Sequence, residues 1–108
     1  VLRGAWLRPG QHVDLIGAYR ADMREADDEV LLRARVFVDS FDSTLAHIGE
    51  LRDPLARGVI ERADVLGDLS DLVTGRAGRT GPDDITLFKN GGGAHLDLLT
   101  GQVILAAL

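Results

Sequence analysis

The chain has 108 residues, of which 45% are hydrophobic and 27% charged, and a formal net charge of −5 at pH 7. That size and usage describe one ordinary globular unit with a real core, and the acidic balance argues against nucleic acid or an anionic membrane surface as partner. The absence of cysteine excludes disulfides, thiolate metal sites and cysteine nucleophiles, and a cytoplasmic location is the expectation.

Pro9-Gly10 marks a turn, and residues 12–18 read as a strand with Val13, Leu15 and Ile16 as its apolar members. Residues 24–33 read as a helix. Glu25, Asp27, Asp28 and Glu29 crowd its start, Arg33 sits near its end, and Ala26, Val30 and Ala34 share a face. Favourable charge at a helix start explains Asp27-Asp28-Glu29 better than a catalytic carboxylate pair does. Residues 35–39 form a second strand of β-branched and aromatic character. Asp42 or Ser43 is placed to cap a helix through Ile48, and Asp53-Pro54 to start a further helical turn that ends before Gly58.

Leu66, Leu69, Leu72 and Val73 have helical spacing, with Gly75 as terminator. Residues 75–82 hold three glycines and two arginines and read as an exposed loop with Arg76 and Arg79 in solvent. Residues 85–89 form the third strand, and a helix runs from Gly92 or Gly93 to the last residue. The order β-α-β-α-α-β-α predicts an α/β fold in three layers, with a parallel sheet and right-handed crossovers. Trp6 is expected to anchor the entering segment in the core.

In such a sheet Gly17-Ala18-Tyr19, Asp39-Ser40 and Lys89-Asn90-Gly91 emerge at one edge, the carboxyl ends of the strands, where ligands bind. Asn90 and three glycines open the last helix, so its N–H groups and positive dipole end are expected to face an anion or polar ligand. The dinucleotide fingerprint G-x-G-x-x-G is incomplete there, because Leu96 stands at the third glycine position. His12, His47 and His95 are widely spaced and match no metal pattern, so no metal is expected. The last helix carries Leu98, Leu99, Val103, Ile104 and Leu108 on most of its sides, and cover from another domain or subunit is expected. The chain opens without Met and without a first strand, which points to a portion of a longer protein.

Taken together, the residues from Trp6-Leu-Arg-Pro-Gly-Gln-His-Val-Asp-Leu-Ile-Gly-Ala-Tyr-Arg20 to Glu25 resemble the ornithine cyclodeaminase/mu-crystallin family. So do Val36-Phe-Val-Asp-Ser40, Gly67-Asp-Leu69 and Ile85-Thr-Leu-Phe-Lys-Asn-Gly-Gly-Gly-Ala94 with Asp97. The resemblance covers essentially the whole chain in order. It implies a parent of two domains: a Rossmann-type NAD(P)-binding domain, and a substrate and dimerisation domain built from both chain ends. Residues 1–90 then correspond to the second half of the Rossmann-type domain, and residues 91–108 to the helix returning toward the other domain. The phosphate-binding glycine loop and the basic residues that hold a substrate carboxylate would lie upstream.

The same resemblance places Ile16, Gly17 and Ala18 against the nicotinamide end of NAD or NADP, and Tyr19 and Arg20 toward the substrate. It places Lys89, Asn90 and Gly91 on the segment closing over the nicotinamide, where many members carry serine at the position of Asn90. One departure matters for chemistry. Ornithine-cyclising members have an aspartate where this chain has Tyr19, and a phenol, with an ordinary pKa of about 10, is a poor general base near neutrality. Ornithine cyclodeamination is therefore disfavoured. The expected parent is an NAD(P)-dependent reductase or dehydrogenase of imino or amino acids, with a small-molecule substrate and a homo-oligomeric assembly, and with the remainder of the parent chain or a second subunit completing the site. A non-catalytic small-ligand binder of mu-crystallin type, or an inert oligomerising module, is the alternative. Plainer roles stay open for single residues: strand–helix packing for Gly17, a strand-end aromatic for Tyr19 and a solvated charge for Arg20.

Overall fold

A computed structural model describes residues 1–108. Four strands, β1 (His12–Leu15), β2 (Arg35–Val38), β3 (Val65–Gly67) and β4 (Thr86–Lys89), form one sheet in the order β1-β4-β2-β3. All three pairings are parallel. Five helices complete the chain: α1 (Asp28–Arg33), α2 (Phe41–His47), α3 (Gly49–Ala56), α4 (Leu69–Val73) and α5 (Ala94–Ala107).

The topology decides which face each helix covers. From β1 to β2 to β3 the chain moves one way across the sheet, and from β3 it turns back over β2 to β4. Right-handed crossovers therefore put α1–α3 on one face and α4 on the other. Side-chain alternation agrees. Val13, Leu15, Val36, Val38 and Leu87 form the core with Val30, Leu31, Leu45 and Leu51 from α1–α3. Their neighbours in sequence, Asp14, Phe37 and Phe88, line a hollow on the opposite face with Leu69 and Leu72 of α4. The expected three layers are present, with one more strand than the sequence reading held.

Several local differences have clear causes. β3 was missed because Leu66 is in helical phase with Leu69 and Leu72; Asp68 separates strand from helix, its carboxylate accepting from the Asp71 N–H at 3.1 Å. α1 starts three residues after Glu25, because Asp27 caps it: its Oδ1 accepts from the N–H of Val30 at 3.1 Å and of Gly4 at 2.9 Å. Residues before that cap are extended instead, and Leu2 bridges Ala26 in parallel. α3 begins at Gly49 and carries Pro54 inside it. Gly49 is required there, since a Cβ would lie 2.5 Å from the Ala21 carbonyl oxygen. Trp6 does not enter the core: it is 61% exposed, with the Arg3 guanidinium 5.9 Å from its ring centroid. Arg79 is not merely solvated, because it donates to Thr86 Oγ1 at 3.1 Å and to the carbonyl of Asp84, tying the 75–82 loop to β4. No residue of α5 is buried, and Leu98, Leu99, Val103, Ile104 and Leu105 are each more than half exposed.

A charged cluster joins α1 to α3. Arg57 Nη2 lies 2.7 Å from Asp28 and 2.8 Å from Asp53, and Arg24 Nη1 lies 3.0 Å and 2.8 Å from the same two carboxylates. The hydrogen bonds from Arg57, followed by those from Arg24, outweigh desolvation and hold the Asp28 carboxyl at about 2 against an ordinary 3.8. A folded-state pKa below the unfolded value stabilises the fold above pH ~4, and that contribution is lost as pH falls through ~2. Solvent screening of this half-exposed cluster reduces it to about 1 kcal/mol. Thermal melts from pH 5 to pH 2 are expected to show this loss, and Asp28→Asn to flatten that part of the profile.

Candidate functional site

The strand ends come level, as the parallel reading required. In the register Leu15 is beside Lys89 and Lys89 beside Val38, so residues 16–19, 39–40 and 90–91 leave the sheet together. Their backbone is then held by two carboxylates rather than left open.

The first is Glu25. Its Oε1 accepts from the Gly17 N–H at 2.7 Å, and its Oε2 accepts from the Ala18 N–H at 2.9 Å and from Lys89 Nζ at 2.9 Å. Lys89, the only lysine of the chain, is on the core face in phase with Leu87 and its side chain is wholly buried. Its ammonium also donates to the Leu15 carbonyl at 3.3 Å. Burial pushes the Glu25 carboxyl up, but the two amides and the ammonium outweigh it and leave the group below its ordinary value. A Cβ on Gly17 would stand 2.7 Å from Glu25 Oε1, so a larger residue would have to shift the carboxylate from its bonds. Glu25 is itself placed by a further buried carboxylate: Glu50 in the first turn of α3 accepts from the N–H of Glu25 at 2.5 Å and of Ala26 at 3.2 Å.

The second carboxylate is Asp39. Its Oδ1 accepts from Ser40 N–H at 2.9 Å and from Thr44 Oγ1 at 2.5 Å, and its Oδ2 from Gly91 N–H at 2.9 Å. This draws the end of β4 onto the start of α2, where a Cβ on Gly91 would meet Thr44 Oγ1 and Ile48 Cδ1 at 2.6 Å. Asn90 Oδ1 accepts from Gly92 N–H at 2.8 Å. The expectation of free amides before α5 holds in part: those of Gly91 and Gly92 already have partners, whereas those of Gly93, Ala94 and His95 donate to nothing within the chain.

Carbonyl oxygens remain for a ligand. In a trans peptide the C=O points opposite the next N–H, and the chain has no cis bond. With the amides of Gly17, Ala18 and Gly91 turned inward, the carbonyls of Ile16, Gly17 and Asn90 turn outward, and none accepts a hydrogen bond within the chain. Ile16 and Tyr19 are exposed at 71% and 66%. Arg20 is exposed and held by Asp22 at 2.8 Å. Of the residues expected at the site, Ile16, Gly17, Ala18, Asn90 and Gly91 gather at the edge by backbone, with Tyr19 and Arg20 just beyond. Lys89 reaches it by backbone only. His12 is at the opposite end of the sheet, with Nδ1 2.8 Å from Thr86 Oγ1, and no group of three His, Cys, Asp or Glu side chains is placed to hold a metal ion.

The sequence pattern of the ornithine cyclodeaminase/mu-crystallin family matches residues 1–106. The chain belongs to that family. Among ornithine cyclodeaminase/mu-crystallin relatives, a Delta(1)-pyrroline-2-carboxylate reductase of Paracoccus denitrificans is 61% identical over 105 residues, covering 96% of this chain and 33% of that protein. The ketimine reductase mu-crystallin of Mus musculus is 32% identical over 104 residues, covering 96% and 31%. In shape, the chain matches the structure of Thermococcus litoralis Delta(1)-pyrroline-2-carboxylate reductase in complex with NADH and L-proline. That match has a TM-score of 0.87 and 34% identity, and covers 94% of this chain and 32% of that one. The chain thus spans about a third of the length of the relatives it matches, and its sheet is of the Rossmann type found in the family. No helix is long and apolar enough to cross a membrane.

Proposed function

We propose that this chain forms part of the NAD(P)-binding site of an oxidoreductase that acts on imino or amino acids, a ketimine reductase or amino-acid dehydrogenase. The observation that carries the reading is the level edge where Ile16-Gly17-Ala18 and Asn90-Gly91 meet with carbonyls outward. An acceptor set of that kind fits the N–H groups of a nicotinamide carboxamide and not a phosphate, in keeping with an edge that lacks the glycine fingerprint. When bound, the nicotinamide supplies or takes the hydride. The chain's own part is positional: residues 16–18 and 89–91 hold the ring end of NAD or NADP, and Tyr19 and Arg20 face the substrate, with Arg20 exchanging Asp22 for a substrate carboxylate.

In this reading residues 1–90 are the second half of the dinucleotide-binding domain. Residues 91–108 lead toward a substrate and dimerisation domain, and the apolar sides of α5 are covered there or by a second subunit. The similarity to Delta(1)-pyrroline-2-carboxylate reductase supports reduction of a cyclic imino acid as the parent reaction. Tyr19 speaks against ornithine cyclodeamination, and it also leaves room for a non-catalytic binder.

Fluorescence titration of the chain with NADH and NADPH, with solution mass measured in parallel, is the direct test. Saturable binding weaker than about 10 µM is expected of a partial site. A folded chain with no affinity for either cofactor would mean that the remainder of the parent supplies the affinity, and the edge would then be tested in the longer protein. For a longer protein containing this chain, oxidation of NAD(P)H by a cyclic imino acid separates the enzyme from the binder.

A further inference from the structure

Glu25 governs how the end of β1 is presented. Its two oxygens take the amides of Gly17 and Ala18, and the buried Lys89 ammonium also donates to Oε2, at 2.9 Å. Asp39 takes the Gly91 amide in the same way at the end of β4, with Ser40 and Thr44 as its other donors and no cation paired to it. Both strand ends therefore show oxygen outward, over an underlying carboxylate whose charge at Asp39 is uncompensated.

We propose that Glu25 is a positioning residue that sets the ligand specificity of this edge: clamped by Lys89, it turns the Gly17 and Ala18 amides inward, so that the edge accepts hydrogen bonds from a neutral donor such as a carboxamide and rejects a carboxylate in the same place. The proposal rests on the reading of the edge as the nicotinamide site. Its reasoning is one of sign. An outward carbonyl is attractive to an N–H and repulsive to an anion. If the Gly17 or Ala18 peptide were free to rotate, its N–H would face the ligand and the preference would shrink.

The experiment compares NAD+ with its analogue carrying a carboxylic acid in place of the carboxamide, by calorimetric titration of the chain and of Glu25→Gln. Glutamine keeps the shape but offers one acceptor instead of two, so one of the two amides loses its partner. The wild-type chain is expected to bind NAD+ at least about tenfold more tightly than the acid analogue, and Glu25→Gln to bring the ratio down to about twofold. Equal weakening of both ligands by Glu25→Gln, with the ratio kept, would overturn the proposal and leave Glu25 a structural anchor. So would equal affinities in the wild type.

Amide exchange gives a readout that needs no ligand. Gly17 and Ala18 are expected to exchange at least about a hundredfold slower than an open chain, and one of them to lose that protection in Glu25→Gln. Unprotected amides in the wild type would also overturn the proposal. Failure of both dinucleotides to bind a longer protein that contains this chain, its Gly17 and Ala18 amides protected, would instead defeat the cofactor-site reading and the specificity with it. Should Glu25→Gln not fold, Glu25→Asp, one methylene too short to reach both amides and Lys89, takes its place with the same expectations.

Discussion

Lys89→Met is expected to lower the unfolding free energy by about 3 kcal/mol, read from urea denaturation. Methionine keeps the length and the apolar stem but removes the ammonium that lies wholly buried against Glu25. The Glu25 carboxylate then sits beside the core with no opposing charge. It keeps the Gly17 and Ala18 amides and a side-chain exposure of 26%, which puts the cost at the low end of that for breaking a buried pair. Combining Lys89→Met with Glu25→Gln removes both charges, and the double variant is expected to be clearly more stable than the sum of the single effects implies. Strict additivity would show that the two side chains are not coupled.

Glu50→Ala is the second large effect expected, about 3 kcal/mol by the same measurement. Glu50 is fully buried, and its loss strands the N–H groups of Glu25 and Ala26 and deprives Arg24 of a carboxylate 3.5 Å away. Glu50→Gln retains an acceptor for one of the amides and is expected to cost roughly half as much. Because Glu50 holds the backbone of Glu25, the alanine variant is also expected to weaken protection of the Gly17 and Ala18 amides, some distance from the substitution. A Glu50→Ala variant within about 0.5 kcal/mol of wild type would mean that the loop is held by other bonds.

How far the sequence revealed this arrangement differs from part to part. β1, β2 and β4 were readable because each is a short β-branched or aromatic run bounded by turn residues, and parallel pairing followed from the helices between them. β3 was hidden, since three residues are too few to show a period of two beside the helical spacing of Leu66, Leu69 and Leu72. The edge holding residues 16–19 and 89–91 was legible from strand direction alone. What lies beneath it was not. Glu25 stands in an acidic run that reads as helix-start charge, and nothing local shows that it folds back eight residues to Gly17. Asp39 was placed at the edge, but its grip on Gly91 depends on two distant strand ends meeting. One signal was present: a sole lysine closing the apolar run Ile85-Thr-Leu-Phe, in phase with Leu87, must find a buried partner if the strand is internal. The failure at Trp6 is of the opposite kind, where size and hydrophobicity argue for burial but the 3-10 turn at Gly4–Trp6 leaves the ring in solvent.

The strand order has a consequence for assembly. β4, last of the strands in sequence, inserts between β1 and β2, so the first two strands have no ladder to each other and are joined only through the third partner between them. Among these four strands, a nascent chain that has emerged only as far as residue 85 can pair β2 with β3, while the pairing of β1 with β4 has still to form. The ion pair between Lys89 and Glu25 and the bond from Gly91 to Asp39 then form late, as the inserted strand locks. The ligand edge and the completed sheet thus appear in one closing event, and pairing over such sequence distances makes that event the slow step of folding.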